Sequence, residues 1–245
     1  MLCAQWGQKG LDLSVTNTQI SLLCPAKVPL GIYCFSCLMA LAGLLLQAAD
    51  GRADGPETVV INTSLGEIVV ALDREGAPIT VDNFLAYVDE SAYDQSIFHR
   101  VIEGFMIQGG GFKTDLSEIP SKAPITNEAE NGLRNLAGGI AMARYDVIDS
   151  ATNQFFINLV DNPRLDHQED SCTRDDERKT ADLEQRGLVK PKLCTSYGYA
   201  VFGYVVAGFD VVQRIGEQQT KRQGTFFDMP AEPVIIESIR RQTSR

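Results

Sequence analysis

Phe98-His99-Arg100-Val101-Ile102-Glu103-Gly104-Phe105-Met106-Ile107-Gln108-Gly109-Gly110-Gly111 is the stretch on which the reading of this chain turns. An arginine stands in an otherwise apolar, strand-like run. An aromatic, a thioether and an amide follow, and three glycines close the segment. Arginine is rarely buried unless something pairs with it. No acid occupies the neighbouring alternate positions, Phe98 and Ile102, so the expected partner of Arg100 is a ligand.

Three further segments extend the pattern in order: Gly139-Ile140-Ala141-Met142-Ala143-Arg144, then Ser150-Ala151-Thr152-Asn153-Gln154-Phe155-Phe156-Ile157-Asn158, then Tyr199-Ala200-Val201-Phe202-Gly203. Together the four segments closely resemble the cyclophilin-type peptidyl-prolyl cis-trans isomerases. The details look most like the bacterial exported branch, and the resemblance runs from Thr58 to Ile239.

The residues themselves support many short strands. Val59-Val60-Ile61 and Glu67–Leu72 are β-branched runs around Asn62-Thr63-Ser64-Leu65-Gly66, which reads as a hairpin. Pro78 opens a helix whose Val81, Phe84, Leu85 and Val88 follow i, i+3, i+4, i+7 spacing. Apolar runs follow at 97–108, 140–144, 155–160, 199–206 and 234–239, with a second short helix around Asp210–Ile215. Periodicity leaves barrel and sandwich open. The resemblance implies an all-β fold with two helices: a closed eight-stranded antiparallel barrel with a helix over each opening.

Thirty-two acids against 22 bases, a formal net charge of −10, argue against a nucleic-acid surface, which needs clustered Lys and Arg. Residues 1–53 differ in kind from the rest. Val28–Ala49 is almost continuously apolar, follows Lys27 and ends in small residues before Asp50-Gly51-Arg52-Ala53-Asp54. This reads as a secretory leader with a cleavage site at Gly51-Arg52-Ala53. It is also long enough to span a bilayer, so an uncleaved anchor stays open, and with it contact with a membrane. The expected location is the bacterial periplasm, either free or anchored facing it.

Four of the six cysteines fall in that leader, leaving Cys172 and Cys194 in the domain assigned to residues 58–241. An isolated pair in an exported protein suggests a disulfide, with two free thiols as the alternative. Only His99 and His167 exist, and no ligand pair has metal-binding spacing. Both cysteines lie in the charged stretch 166–197, which interrupts the resemblance and reads as an insertion. Thr173 as N-cap and Gly187 as stop predict a short, solvated helix within it.

Rotation about an X–Pro bond crosses a barrier of about 18–20 kcal/mol set by amide resonance. When the bond twists, the prolyl nitrogen regains a lone pair. A donor aimed at it stabilises the twisted state over the planar one, which lowers the barrier. Arg100 suits that role, because its guanidinium stays charged and donates from a rigid fork. No cofactor, metal or nucleophile is needed. The resemblance implies that Phe105, Met106, Phe156 and Leu165 line a slot for the proline ring. It also implies that Gln108 and Gln154 position the substrate backbone and Arg100, and that the Ala143 and Arg144 backbone pairs with an extended peptide. Tyr199 stands where many eukaryotic relatives carry histidine and bacterial ones commonly tyrosine.

Two competing readings fail on spacing. Gly109-Gly110-Gly111 lacks a dinucleotide fingerprint and no Gly-Lys-Ser/Thr follows it. His99, Ser96 and Asp94 lie too close along one strand to converge as a triad; His99 is expected to satisfy hydrogen bonds inside the fold. One departure from the family matters. Arg164 stands where an aromatic residue usually forms the pocket rim, so cyclosporin binding is expected to be weak. The expected partners are proline-containing segments of client proteins. A non-catalytic peptide-binding module on the same barrel is the alternative.

Overall fold

The computed structural model describes residues 57–168, 172, 174–186 and 194–242. The leader assigned to residues 1–53 lies outside them, as do Thr173 and Gly187. Strands β1 (Thr58–Thr63), β2 (Gly66–Leu72), β3 (Ser96–Ile102), β4 (Met106–Lys113), β5 (Gly139–Met142), β6 (Phe155–Asn158), β7 (Val201–Ala207) and β10 (Ile235–Arg241) close into a barrel. Its strand order is β1-β10-β3-β4-β6-β5-β7-β2, antiparallel throughout. β8 (Thr220–Gln223) and β9 (Phe226–Pro230) form a separate hairpin. The helices are α1 (Pro78–Asp89), α2 (Arg174–Gln185) and α3 (Phe209–Gly216).

Closure follows from patterning. β1 buries Val59, Ile61 and Thr63 at alternate positions, whereas β5 and β6 are buried along their whole length. A closed barrel leaves none of these apolar strands with an unpaired edge. The expected hairpin forms, with Thr63 opposite Gly66 and the Thr63 hydroxyl donating to the Gly66 carbonyl at 2.7 Å.

α1 and α3 cover opposite openings. Phe84 of α1 packs on Phe155 at the start of β6 and on Phe202, with ring centroids 5.6 and 5.1 Å apart. On α3, Gly216 abuts Leu159 just past the end of β6; a Cβ there would lie 2.6 Å from Leu159 Cδ1. Both helices feed one core, through Phe84 and Val88 on α1 and Val211, Val212 and Ile215 on α3.

β3 carries the irregularity that matters. Phe98 pairs with Gly109 and Arg100 with Gln108, so β3 advances two residues where β4 advances one. Such a bulge re-aims side chains. Phe98, His99 and Val101 are buried while Arg100 turns out. The triglycine run serves packing. Gly110 has φ +78°, and a Cβ on it would lie 2.9 Å from Asn153 O and from the Phe155 and Tyr93 rings; one on Gly111 would lie 2.7 Å from Gln154 Cδ.

The insertion is an excursion whose ends meet. The Tyr199 N–H donates to the Leu165 carbonyl at 3.0 Å. Within it α2 supplies the expected helix, with Arg178, Lys179, Asp182 and Gln185 exposed. Cys172 and Cys194 form a disulfide with Cα atoms 5.1 Å apart.

Candidate active site

Nine of the ten residues expected at the site line one surface depression of about 240 Å³: Arg100, Phe105, Met106, Gln108, Ala143, Arg144, Phe156, Leu165 and Tyr199. Register explains how they meet. Ile102 opposite Met106, Arg100 opposite Gln108, Gln108 opposite Phe156 and Phe156 opposite Ala141 set the wall on adjacent strands β3, β4, β6 and β5. Met106 and Phe156 belong to a small apolar cluster separate from the main core, with Phe105, Leu165 and Tyr199 packed against it. Apolar side chains that the core has not absorbed are available to a ligand.

The tenth residue, Gln154, stands behind the wall. It lines a neighbouring depression of about 90 Å³ together with Gln108, Ala143, Arg144, Tyr145, Ser150 and Thr152. It reaches the first depression through a relay. Arg100 Nη1 donates to Gln108 Oε1 at 3.4 Å, and Gln108 Nε2 donates to Gln154 Oε1 at 2.8 Å.

Arg100 departs from expectation in two ways. Its side chain is 45% exposed rather than buried, and it does have an acidic partner: Asp228 Oδ2 lies 3.6 Å from Arg100 Nε. Asp228 belongs to β9, far along the chain, so inspecting the neighbours of Arg100 could not have found it. The β8–β9 hairpin gives little strand signal, since β8 is exposed throughout.

The other predicted roles are refined. The Ala143 N–H is taken by the Gln154 carbonyl at 2.9 Å, so it does not face a ligand. Arg144 is held by its side chain, which donates to the carbonyls of Gly198, Tyr145 and Thr195 at 2.9, 2.8 and 3.1 Å. Its guanidinium lies 4.9 Å from the Tyr199 ring centroid, and Tyr199 meets Phe156 edge-on at 5.6 Å. Burial pushes the Arg144 pKa below its ordinary value. Arg164 sits exposed on the 3₁₀ turn Pro163–Leu165, next to the wall residue Leu165.

His99 satisfies its hydrogen bonds inside the fold only in part. It is 4% exposed, and its Nδ1 has no partner. Its ring packs on Phe112 at 4.8 Å and on Phe226 at 6.0 Å. Burial, the largest influence, lowers its pKa to about 4, so the ring is neutral at pH 7.

A family model described as cyclophilin type peptidyl-prolyl cis-trans isomerase/CLD matches residues 58–241. The chain belongs to that family. Peptidyl-prolyl cis-trans isomerase A of Dickeya dadantii (strain 3937) is 44% identical over 180 residues, covering 74% of this cyclophilin and 82% of that protein. Peptidyl-prolyl cis-trans isomerase cyp18 of Streptomyces antibioticus is 46% identical over 181 residues, covering 74% and 96%. Peptidyl-prolyl cis-trans isomerase B of Escherichia coli (strain K12) is 44% identical over 181 residues, covering 74% and 97%. Among solved structures, a cyclophilin type isomerase of Cryptosporidium parvum matches with TM-score 0.57 and 21% identity over 78% of this chain and 100% of its own. That likeness concerns the fold. A second structure of the same isomerase was determined in the presence of the dipeptide Ala-Pro, with TM-score 0.56, 21% identity and coverage of 76% and 99%.

Proposed function

We propose that this prolyl isomerase turns X–Pro bonds in flexible or unfolded polypeptides, with Arg100 as the group that lowers the barrier. One observation carries the reading. Arg100 brings a permanent, forked donor to the rim of an apolar slot, and its Nη1 leads into the Gln108–Gln154 relay. Phe105, Met106, Phe156 and Leu165 grip the prolyl ring. Gln108, tied to Gln154, steadies the guanidinium as the preceding carbonyl swings. Arg100 donates to the prolyl nitrogen as its lone pair emerges, and that bond is stronger in the twisted state than in the planar one. Arg144 and Tyr199 act as a stacked pair that shapes the far wall.

The setting we assign is the bacterial periplasm. Three observations support it: relatives in bacteria, the leader-like composition of residues 1–53 and the Cys172–Cys194 bond. The excursion between Leu165 and Tyr199 serves as a clipped flap beside the pocket, tuning which peptides enter without supplying catalytic groups.

The test is exchange of an Ala-Pro-Phe peptide, measured by NMR with and without the protein. Wild type accelerates exchange. Arg100→Ala loses about 10²-fold or more, the scale for removing a donor aimed at transition-state charge, with its fold intact. Arg100→Lys recovers little, because a point charge on a flexible stem lacks the fork. Near-wild-type exchange by folded Arg100→Ala would exclude the mechanism. Peptide binding without any acceleration by wild type would favour the non-catalytic module.

A further inference from the structure

β9 sends two alternate side chains toward the barrel. Phe226 packs edge-on against Phe112 of β4, ring centroids 4.9 Å apart, and reaches the His99 ring at 6.0 Å. Two residues on, and therefore on the same face of the strand, Asp228 reaches the residue after His99. Its Oδ2 lies 3.6 Å from Arg100 Nε. On the other flank Gln108 Oε1 accepts from Arg100 Nη1. The guanidinium therefore has a carboxylate at ion-pair distance on β9 and a neutral hydrogen-bond acceptor on β4.

We infer that Asp228 is a positioning residue: from the β8–β9 hairpin its carboxylate holds the Arg100 fork in the orientation that the twisted prolyl bond requires. This rests on the reading of Arg100 as the catalytic donor. The physical need is plain. An arginine side chain that is 45% exposed carries a large rotamer entropy, and a fork left to rotate spends little time aimed at one nitrogen. Contacts at Nε and Nη1 restrain the plane, while Nη2 takes part in neither and is available to the substrate. Asp228 is not needed to dock the hairpin, because Phe226 and the buried Met229 do that. Its carboxylate, 39% exposed, stays within reach of the Arg100 guanidinium.

The experiment measures kcat and KM for the Ala-Pro-Phe peptide in wild type, Asp228→Asn, Asp228→Glu, Arg100→Ala and the Arg100→Ala/Asp228→Asn pair. Thermal unfolding and the NMR order parameter of the Arg100 Nε–H bond are followed in parallel. Asp228→Asn lowers kcat about two- to five-fold, the range for an exposed ion pair, with KM and Tm unchanged and a lower Arg100 order parameter. Asp228→Glu restores most of kcat, and Asp228→Asn has no further effect once Arg100 is alanine. Wild-type kcat in Asp228→Asn would overturn the inference. So would an equal proportional loss in the Arg100→Ala background, or a kcat loss with the Arg100 order parameter unchanged. Wild-type exchange by Arg100→Ala itself would instead strike at the underlying mechanism, so the two failures are distinguishable.

Discussion

Tyr199 and Leu165 are joined backbone to backbone, the N–H of one donating to the carbonyl of the other at 3.0 Å, and both side chains line the depression that holds Arg100. The excursion between them therefore begins and ends on the pocket wall. Gly198, at φ +108°, makes the pinch feasible: a Cβ there would lie 2.7 Å from the His167 backbone nitrogen. Arg144 ties the returning limb down by donating to Thr195 O, one residue after Cys194.

Removing the clip with Cys172→Ser/Cys194→Ser should lower unfolding stability by up to about 3 kcal/mol, the chain-entropy value for a loop of this size. The loop spans 22 residues of sequence separation. Exchange of a short peptide should stay near wild type, because Leu165 and Tyr199 remain pinned to each other. Refolding of a proline-limited unfolded protein should change. An unaltered ratio between the two substrates would remove the gating role, and a free-thiol mass under non-reducing conditions would remove the bond.

Acid should weaken the fold in a window set by His99. Its folded pKa of about 4 lies below the ordinary 6.5. Between those values the unfolded chain takes up a proton that the folded one refuses, so stability falls as pH drops from about 6.5 to 4 and levels off below. The loss amounts to about 3 kcal/mol at about 1.4 kcal/mol per pKa unit. Asp89 and Asp94, held below the usual carboxylate range by hydrogen bonds from Arg241 and Arg240, act only at lower pH. Chemical denaturation at pH 7, 5.5 and 4.5 should show the slope in wild type and a flatter one in His99→Gln. Parallel slopes would rule His99 out as its source.

Cyclosporin should inhibit weakly, because exposed Arg164 offers neither a flat apolar face nor an indole donor beside Leu165. Arg164→Trp should strengthen inhibition at least several-fold while leaving peptide exchange nearly unchanged. Equal inhibition of the two proteins would take Arg164 off the rim.

How far the sequence could be read depends on where the information sits. Strands with an apolar period, such as β1 with Val59 and Ile61, were legible one by one. The family resemblance supplied the closure that periodicity could not. The resemblance supplied the nine wall residues, eight of them within its four contiguous segments and Leu165 outside these. Asp228 was not legible, because its strand has no buried alternation and its partner is remote in sequence. The triglycine run was misleading in isolation. Only the packed structure shows that a Cβ on Gly111 would strike Gln154 Cδ, so the glycine leaves room for the Gln154–Gln108 relay that reaches Arg100. The setting of His99 was only partly legible for a related reason. Its ring packs on Phe112 and Phe226, and the second of these comes from the same unpredicted hairpin.

Beyond residue 37 the chain has two cysteines, and both lie in the excursion rather than in a barrel strand. No step of barrel assembly therefore waits on thiol chemistry. The strands can pair and the pocket wall can close in a reducing or an oxidising milieu alike, with the Leu165–Tyr199 bond sealing the base of the excursion. The bond constrains the excursion alone, and its formation or loss leaves every barrel strand pairing without a covalent tether.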